Sequence, residues 1–424
     1  MKTLITVAAV ISITFYCYFL ITVILTNQAR QLVHFEQKGA TPYHLFIVIP
    51  VLNEAGVIAH TISNLINTFT ELPATITPHI IAINDNSDDD SLAILQTIDS
   101  SFLTIINRQA PTARQGKGAA LNHAIKHIQK HYPTLDDTMT IIGILDADAI
   151  MTAADFTHLI ADFEADPKLS MIQTAVAIYN QTNWLTRIQD FEFMSMNNST
   201  QQLRTSLGQG IASGNGQFVT LRLAIENPWG NSLLEDLEFT LRAWLNGYQT
   251  AFTHNVIVHQ EGITKLRPFI RQRIRWCQGG LDCLPYLPRL WRSHYVNLFQ
   301  RVDTTLWVIT PFLACVVPIT NLIVLITQVG LYLTQAPQHW VSPALMLIMF
   351  LNVMICFVLA MQYQRNYAKV TRMPSFLAAL WLSVSFQVYL IIMSIVPFIA
   401  IGRQLSGRHT WVKTTHSVVA SKTN

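Results

Sequence analysis

The sequence is short of charge. Asp, Glu, Lys and Arg make up 12% of its 424 residues, where soluble domains carry roughly 25%. The shortage is uneven: Thr3–Leu25, Leu306–Leu333, Val341–Met361 and Ser375–Ile401 contain no charged residue. Each run reaches the ~20 residues with which a helix crosses a bilayer. Buried helices of soluble domains are rarely so long and so bare of charge, so an ordinary soluble globule is excluded. Cysteine is scarce as well. Cys17, Cys277, Cys283, Cys315 and Cys356 show no CxxC and no metal spacing, and three of them fall in apolar runs. That excludes a thiolate metal site and a disulfide framework. Basic blocks are missing and the formal net charge is only +3, which argues against a nucleic-acid partner. There is no Walker A spacing, no internal repeat and no low-complexity segment.

Thr3–Leu25 is too long for a signal peptide, and no small-residue cleavage site follows it. It reads as a membrane anchor spanning about 1–28. Arg30 and Lys38 then keep the next block, about 40–300, in the cytosol. At the other end, 301–402 reads as a membrane region of three or four segments, followed by a basic polar tail over 403–424. Arg365, Lys369 and Arg372 place the loop before Ser375 in the cytosol, while the neutral Thr334–Trp340 loop lies outside. Pro397, or Pro311 and Pro318, mark points where a segment re-enters or splits.

Between these ends the pattern alternates. Strands are expected at His44–Val51, His79–Asn84, Leu103–Asn107 and Thr140–Leu145. Helices are expected at Ala55–Phe69, Ser91–Ile98 and Gly118–Lys130. Such βα units imply a largely parallel sheet, with ligands beyond the carboxyl ends of the strands. Past residue 150 the signals are a helix over Trp184–Ser206, a Gly-rich turn at Ser213–Gly216, a helix over Glu235–Leu245, and short strands at Gln249–Phe252 and Val256–His259. Lys265–Leu284 has an apolar stripe (Leu266, Ile270, Ile274, Cys277, Leu281) and a basic one (Arg267, Arg271, Arg275). An amphipathic helix of this kind, just before an apolar run, suits the membrane interface over 263–300; a solvated helix with a basic face is the plainer alternative.

Acidic residues recur at strand ends. Asp146 and Asp148 are two hard carboxylates at one strand end, suited to Mg²⁺ or Mn²⁺ and its phosphate ligands. Asp85 ends another strand, as a turn former or as an acceptor for a nucleobase N–H. Arg114–Gly118 precedes a helix whose N-terminus favours anions, and Lys117 adds a point charge. Glu235 and Asp236 open a helix, either as capping acids or as a general base. Arg275 suits phosphate. Trp276 suits either a sugar ring or the lipid interface.

In order, Pro50–Val51–Leu52–Asn53–Glu54, Asn84–Ser87, Gly116–Lys117 with Leu121–Asn122, Asp146–Ala147–Asp148, Ser213–Gly216, Glu235–Asp236 and Gln272–Trp276 form a set. The set resembles the membrane-integrated family-two glycosyltransferases, which include cellulose, hyaluronan and poly-N-acetylglucosamine synthases. The resemblance implies a GT-A catalytic domain over about 40–262, a UDP-sugar donor, a divalent cation and inversion at the anomeric carbon. It assigns Asp85 to uracil, Lys117 to the nucleotide, and Asp146 and Asp148 to the diphosphate and metal. Glu54 joins the donor-binding set, Asp236 is the base, and Gln272, Arg275 and Trp276 match the QxxRW motif beside the acceptor. Trp411–Thr414 is similar to tail motifs of some members. Asn84 and Leu234 depart from the usual Asp and Thr. The expected activity is transfer to a growing polysaccharide at the cytosolic face of the plasma membrane. Transfer to diacylglycerol or polyprenyl phosphate is the alternative, and a non-catalytic transporter or scaffold the reading of another class.

Overall fold

The computed structural model describes residues 41–334, 341–366 and 375–407, with Val10, Cys17, Leu20 and Ile21. The anchor expected over Thr3–Leu25 (those four residues aside), loop residues 335–340, Lys369, Arg372 and Trp411–Thr414 lie outside the described residues.

The first half follows the expected alternation: β1 (Tyr43–Val51), α1 (Ile58–Thr70), β2 (Ile76–Asn84), α2 (Ser91–Gln96), β3 (Leu103–Asn107), α3 (Lys117–His131) and β4 (Thr140–Ile144). β1 pairs in parallel with both β2 and β4, and β2 with β3. Alternate residues serve opposite faces of the sheet. Leu45, Ile47 and Ile49 pack with Ile58, Ile62 and Leu65 of α1. Phe46 and Val48 pack with Leu121, Ala124, Ile125 and Ile128 of α3. Burial on both faces is why these strands read as unbroken apolar runs.

The second half holds elements the sequence pattern did not mark. α4 (Ala153–Ala165), β5 (Leu169–Ile178), β6 (Gln217–Thr220) and α7 (Leu221–Glu226) were not expected. The helix expected over Trp184–Ser206 is three pieces: α5 (Trp184–Phe191), a π-helical turn (Glu192–Asn197) and α6 (Asn198–Ser206). α8 (Glu235–Leu245) has the expected bounds, while the two short strands expected near 250 are one strand, β7 (Gln249–Gln260), with a register shift against β5 at Thr174/Ala175. The finished sheet has the order β3-β2-β1-β4-β6-β5-β7. It is parallel except for β6, which runs antiparallel to both neighbours. The fold is therefore an α/β domain with a mixed, mostly parallel sheet.

α9 (Leu266–Asp282), α10 (Leu287–Arg292), α11 (Leu298–Leu333), α12 (Val341–Asn366), α13 (Ser375–Met393) and α14 (Val396–Leu405) complete the described chain. α11 runs unbroken through Pro311 and Pro318, so neither splits it. The run around Pro397 does split: α13 ends at Met393, a turn covers Ser394 and Ile395, and α14 starts with Pro397 in its first turn. Among the described residues one stretch, Phe376–Leu405, is long and apolar enough to cross a membrane, and Phe350–Gln364 is a shorter apolar helix. The apolar stripe of α9 is not left open. Ile270, Ile274 and Cys277 pack against Val396 and Ala400 of α14, and Leu281 is buried, while Leu266 stays exposed. α12 and α13 dock on the sheet domain through Leu359, Ala360, Leu382 and Phe386, which share a core with Phe191, Met194 and Phe269.

Candidate active site

The parallel strands end side by side, and each gives way to polar residues. Asp85 comes directly after β2; Asp146 and Asp148 come just after β4. Because β6 is antiparallel, the turn that feeds it, Ser213–Gly216, arrives at this same edge. The turn is fixed from below by buried Gln173 of β5. Its side chain accepts from Ser213 N at 2.8 Å and donates to the Asn215 carbonyl at 2.8 Å. Asn215 Oδ1 in turn accepts from Asp146 N at 3.1 Å.

All nine sequence-derived candidates, Glu54, Asp85, Lys117, Asp146, Asp148, Asp236, Gln272, Arg275 and Trp276, line one cavity of about 1090 Å³. Lys117, the first residue of α3, donates to Asp146 Oδ1 at 2.7 Å and to the Gly214 carbonyl at 3.1 Å. Gly214 has φ +83°, and a Cβ there would lie 3.2 Å from Asp236 Oδ2 and 3.7 Å from Lys117 Nζ. Asp236 and Lys117 therefore face the same turn. α8 reaches that position because Asn122 of α3 clamps the loop before it: the Asn122 amide exchanges two 2.8 Å hydrogen bonds with the backbone of Trp229.

The electrostatics separate the carboxylates. Burial, then the neighbouring Glu235 carboxylate, push Asp236 up to about 7, against the pull of Leu237 N–H and Lys117. Burial also raises Glu235, with Lys117 opposing it. Burial disfavours the Lys117 charge, yet Asp146 and Glu235 outweigh it and hold the ammonium above its ordinary range. A carboxyl near 7 is poised to take a proton at physiological pH.

Asp146 and Asp148 supply hard oxygen donors. Asp146 is partly open to the cavity, and Asp148 Oδ2 accepts from Glu261 N at 2.8 Å. Among the described residues no group of three His, Cys, Asp or Glu side chains could hold a metal alone. The pair fits Mg²⁺ or Mn²⁺, which commonly take one or two carboxylates and complete their shell with water and substrate phosphate.

Three cavity residues, or partners of them, were missed by sequence reasoning. Buried Arg108 donates to Asp85 Oδ1 at 2.6 Å, and Arg114 N donates to the same oxygen at 3.1 Å. Oδ2 of Asp85 takes no hydrogen bond among the described residues. Arg108 directly follows β3, so the strand-end rule that selected Asp85 would have selected it too. Glu192, in the π-turn, pairs with Arg273 of α9 through two bonds of 2.6 and 3.1 Å. The signal for Glu192 was an acid set between Phe191 and Phe193, two residues after Asp190. Arg273 lay inside the Gln272–Trp276 motif itself.

The family model for glycosyl transferase family group 2 matches residues 141–402, and that for glycosyl transferase family 2 matches residues 46–224. The first covers more than half of the chain. The chain belongs to glycosyl transferase family group 2. This family-2 glycosyltransferase is 32% identical over 252 residues to a beta-monoglucosyldiacylglycerol synthase of Trichormus variabilis, a match that covers 58% of this chain and 50% of the relative. It thus spans about half the length of that relative. It is 24% identical to a poly-beta-1,6-N-acetyl-D-glucosamine synthase of Staphylococcus aureus, over 64% of this chain and 63% of the relative. In fold it is similar to a mannosyltransferase of Pyrobaculum calidifontis solved with GDP-Man and Mn²⁺, at TM-score 0.62 and 15% identity, covering 95% of this chain and all (100%) of that one.

Proposed function

We propose that this family-2 glycosyltransferase moves a sugar from a UDP-sugar to the hydroxyl of a membrane-borne acceptor, with inversion. The observation that carries the reading is Asp236, its carboxyl raised to about 7 in the same cavity as the Lys117–Asp146 pair. In this reading Asp85 Oδ2 accepts from the uracil N–H, while Arg108 and Arg114 N hold Oδ1. Glu54 lines the donor end. Lys117 turns its charge to the diphosphate. Asp146 and Asp148 would hold Mg²⁺ or Mn²⁺, whose charge would stabilise the leaving diphosphate. Asp236 removes the acceptor hydroxyl's proton as the oxygen attacks from the face opposite the nucleotide. An α-linked donor then gives a β-linked product. Gln272, Arg275 and Trp276 border the acceptor.

The cavity's lining favours an amphiphilic acceptor. Beyond the carboxylates it continues to Cys277, Trp307, Pro311, Met393, Val396 and Pro397, from α9, α11 and the α13–α14 junction. An apolar end next to membrane-suited helices fits a lipid such as diacylglycerol, as does the 32% identity to a glycolipid synthase. A growing polysaccharide is the second reading, favoured by the resemblance to the Staphylococcus aureus synthase. In both readings the chain sits in the plasma membrane as a multi-pass protein, with Phe376–Leu405 as the described stretch long and apolar enough to cross, the other charge-free runs as further spans, and the catalytic domain in the cytosol. Purified membranes given UDP-glucose or UDP-N-acetylglucosamine, with Mn²⁺, test this by UDP release and product size. A single glycolipid band supports the first reading, a ladder the second, and no UDP release with any donor sinks both.

A further inference from the structure

Arg273 stands between motif residues and is 8% exposed. Its guanidinium forks onto both oxygens of Glu192, at 3.1 and 2.6 Å. Aromatic rings surround it: its Cζ lies 4.5 Å from the ring centre of Trp276, 4.7 Å from that of Phe269 and 5.6 Å from that of Phe193. Glu192 also accepts from Tyr389 OH, on the apolar helix α13, at 2.9 Å. Three elements thus meet at one ion pair: the π-turn, α9 and α13. Glu192, Phe193, Arg273 and Trp276 all line the cavity.

A salt bridge of this kind is weak evidence of a stabilising role. Apolar residues of similar volume commonly replace a buried ion pair at no loss. A π-turn inside a helix is itself a frequent mark of a functional site; here it begins at the acid that Arg273 grips.

We propose that Arg273 is a positioning residue for glycosyl transfer. Clamped by Glu192 and Tyr389, its flat cation fixes the ring plane of Trp276 and so the pose of the acceptor, without touching the donor. A lysine cannot do this, because a point ammonium neither spans two carboxylate oxygens nor stacks flat on an indole. The inference rests on the transfer reading given above.

The test compares wild type, Arg273→Lys, Arg273→Met and Tyr389→Phe in detergent. Initial UDP release is measured against diacylglycerol in mixed micelles and, in parallel, against β-linked N-acetylglucosamine oligomers. UDP affinity is measured by calorimetry and folding by melting temperature. Both Arg273 variants are expected to raise the acceptor KM about tenfold or more, since small misplacements of this kind are costly. UDP affinity should stay within about twofold, and Tyr389→Phe should shift the acceptor KM in the same direction by less. An Arg273→Lys enzyme with the wild-type acceptor KM overturns the proposal, as do losses that follow the melting temperature alone. Wild-type protein that binds no UDP and releases none with either probe would fail the transfer reading, and this inference with it.

Discussion

Lys117 Nζ lies 2.7 Å from Asp146 Oδ1 and 3.1 Å from the carbonyl oxygen of Gly214. One ammonium thereby ties the loop after β4 to the turn before β6, while its charge resists protonation of Asp236. The proposed donor site and the proposed proton acceptor are thus linked through a single side chain.

Replacing it separates the two effects. Lys117→Met removes a cation beside the proposed diphosphate position, so the donor KM should rise at least about tenfold. It also removes a charge that lowers the proton affinity of Asp236. The acid limb of the rate profile should therefore move to higher pH. UDP release measured from pH 5 to 9 checks both; a limb that stays put would show that Lys117 does not act on the base.

In the wild-type enzyme the limb itself has a defined place. With Asp236 near 7, the rate at saturating donor should fall about tenfold per pH unit below that value, because only the ionised carboxylate accepts a proton. Asp236→Asn should cut turnover by about 10²–10⁴ and leave UDP binding in place by calorimetry. Unchanged turnover would remove the base assignment.

Arg108 and Asp85 are both buried and paired at 2.6 Å. Removing one member leaves the other as an uncompensated charge, a loss of about 3–5 kcal/mol. Arg108→Met should lower stability to urea by that order and weaken UDP binding. A variant as stable as wild type would mean that the pair carries little.

How far the sequence foretold this depends on the strand. β1 to β4 are legible because both faces are buried, which leaves uninterrupted apolar runs. β5 has Gln173 and Thr174 at its centre, and both are buried. Gln173 is polar because its side chain grips the Ser213–Gly216 turn, so the site's own scaffolding hid the strand. β6, at four residues, is too short to show alternation. All nine candidates line one cavity; Asp85, Asp146 and Asp148 meet there because residues at the ends of parallel strands converge by topology. The partners Arg108, Glu192 and Arg273 were not legible, because pairing across elements far apart in the chain leaves no local pattern.

Gly214 offers a narrower test. At φ +83°, with Asp236 Oδ2 3.2 Å from where a Cβ would sit, Gly214→Ala should cost about 1–2 kcal/mol of backbone strain and displace the base. The melting temperature should drop by a few degrees, with a proportionally larger fall in UDP release. A variant with full turnover would show that the turn has room to spare.

Metal dependence is expected from the carboxylate pair. Treatment with EDTA should abolish UDP release, and Mn²⁺ or Mg²⁺ should restore it. In Asp148→Asn, more cation should be needed for the same rate. Full activity in EDTA would remove Asp146 and Asp148 from that role.

The break at Ser394–Ile395 has an evolutionary consequence. After it, ten residues, Val396–Leu405, pack against α9 and furnish Val396 and Pro397 to the cavity lining. Its Gln404 donates to Asp282 Oδ1 of α9 at 2.9 Å. With the acceptor against this lining, as proposed above, grafting the segment between related enzymes is expected to change acceptor preference more than donor affinity.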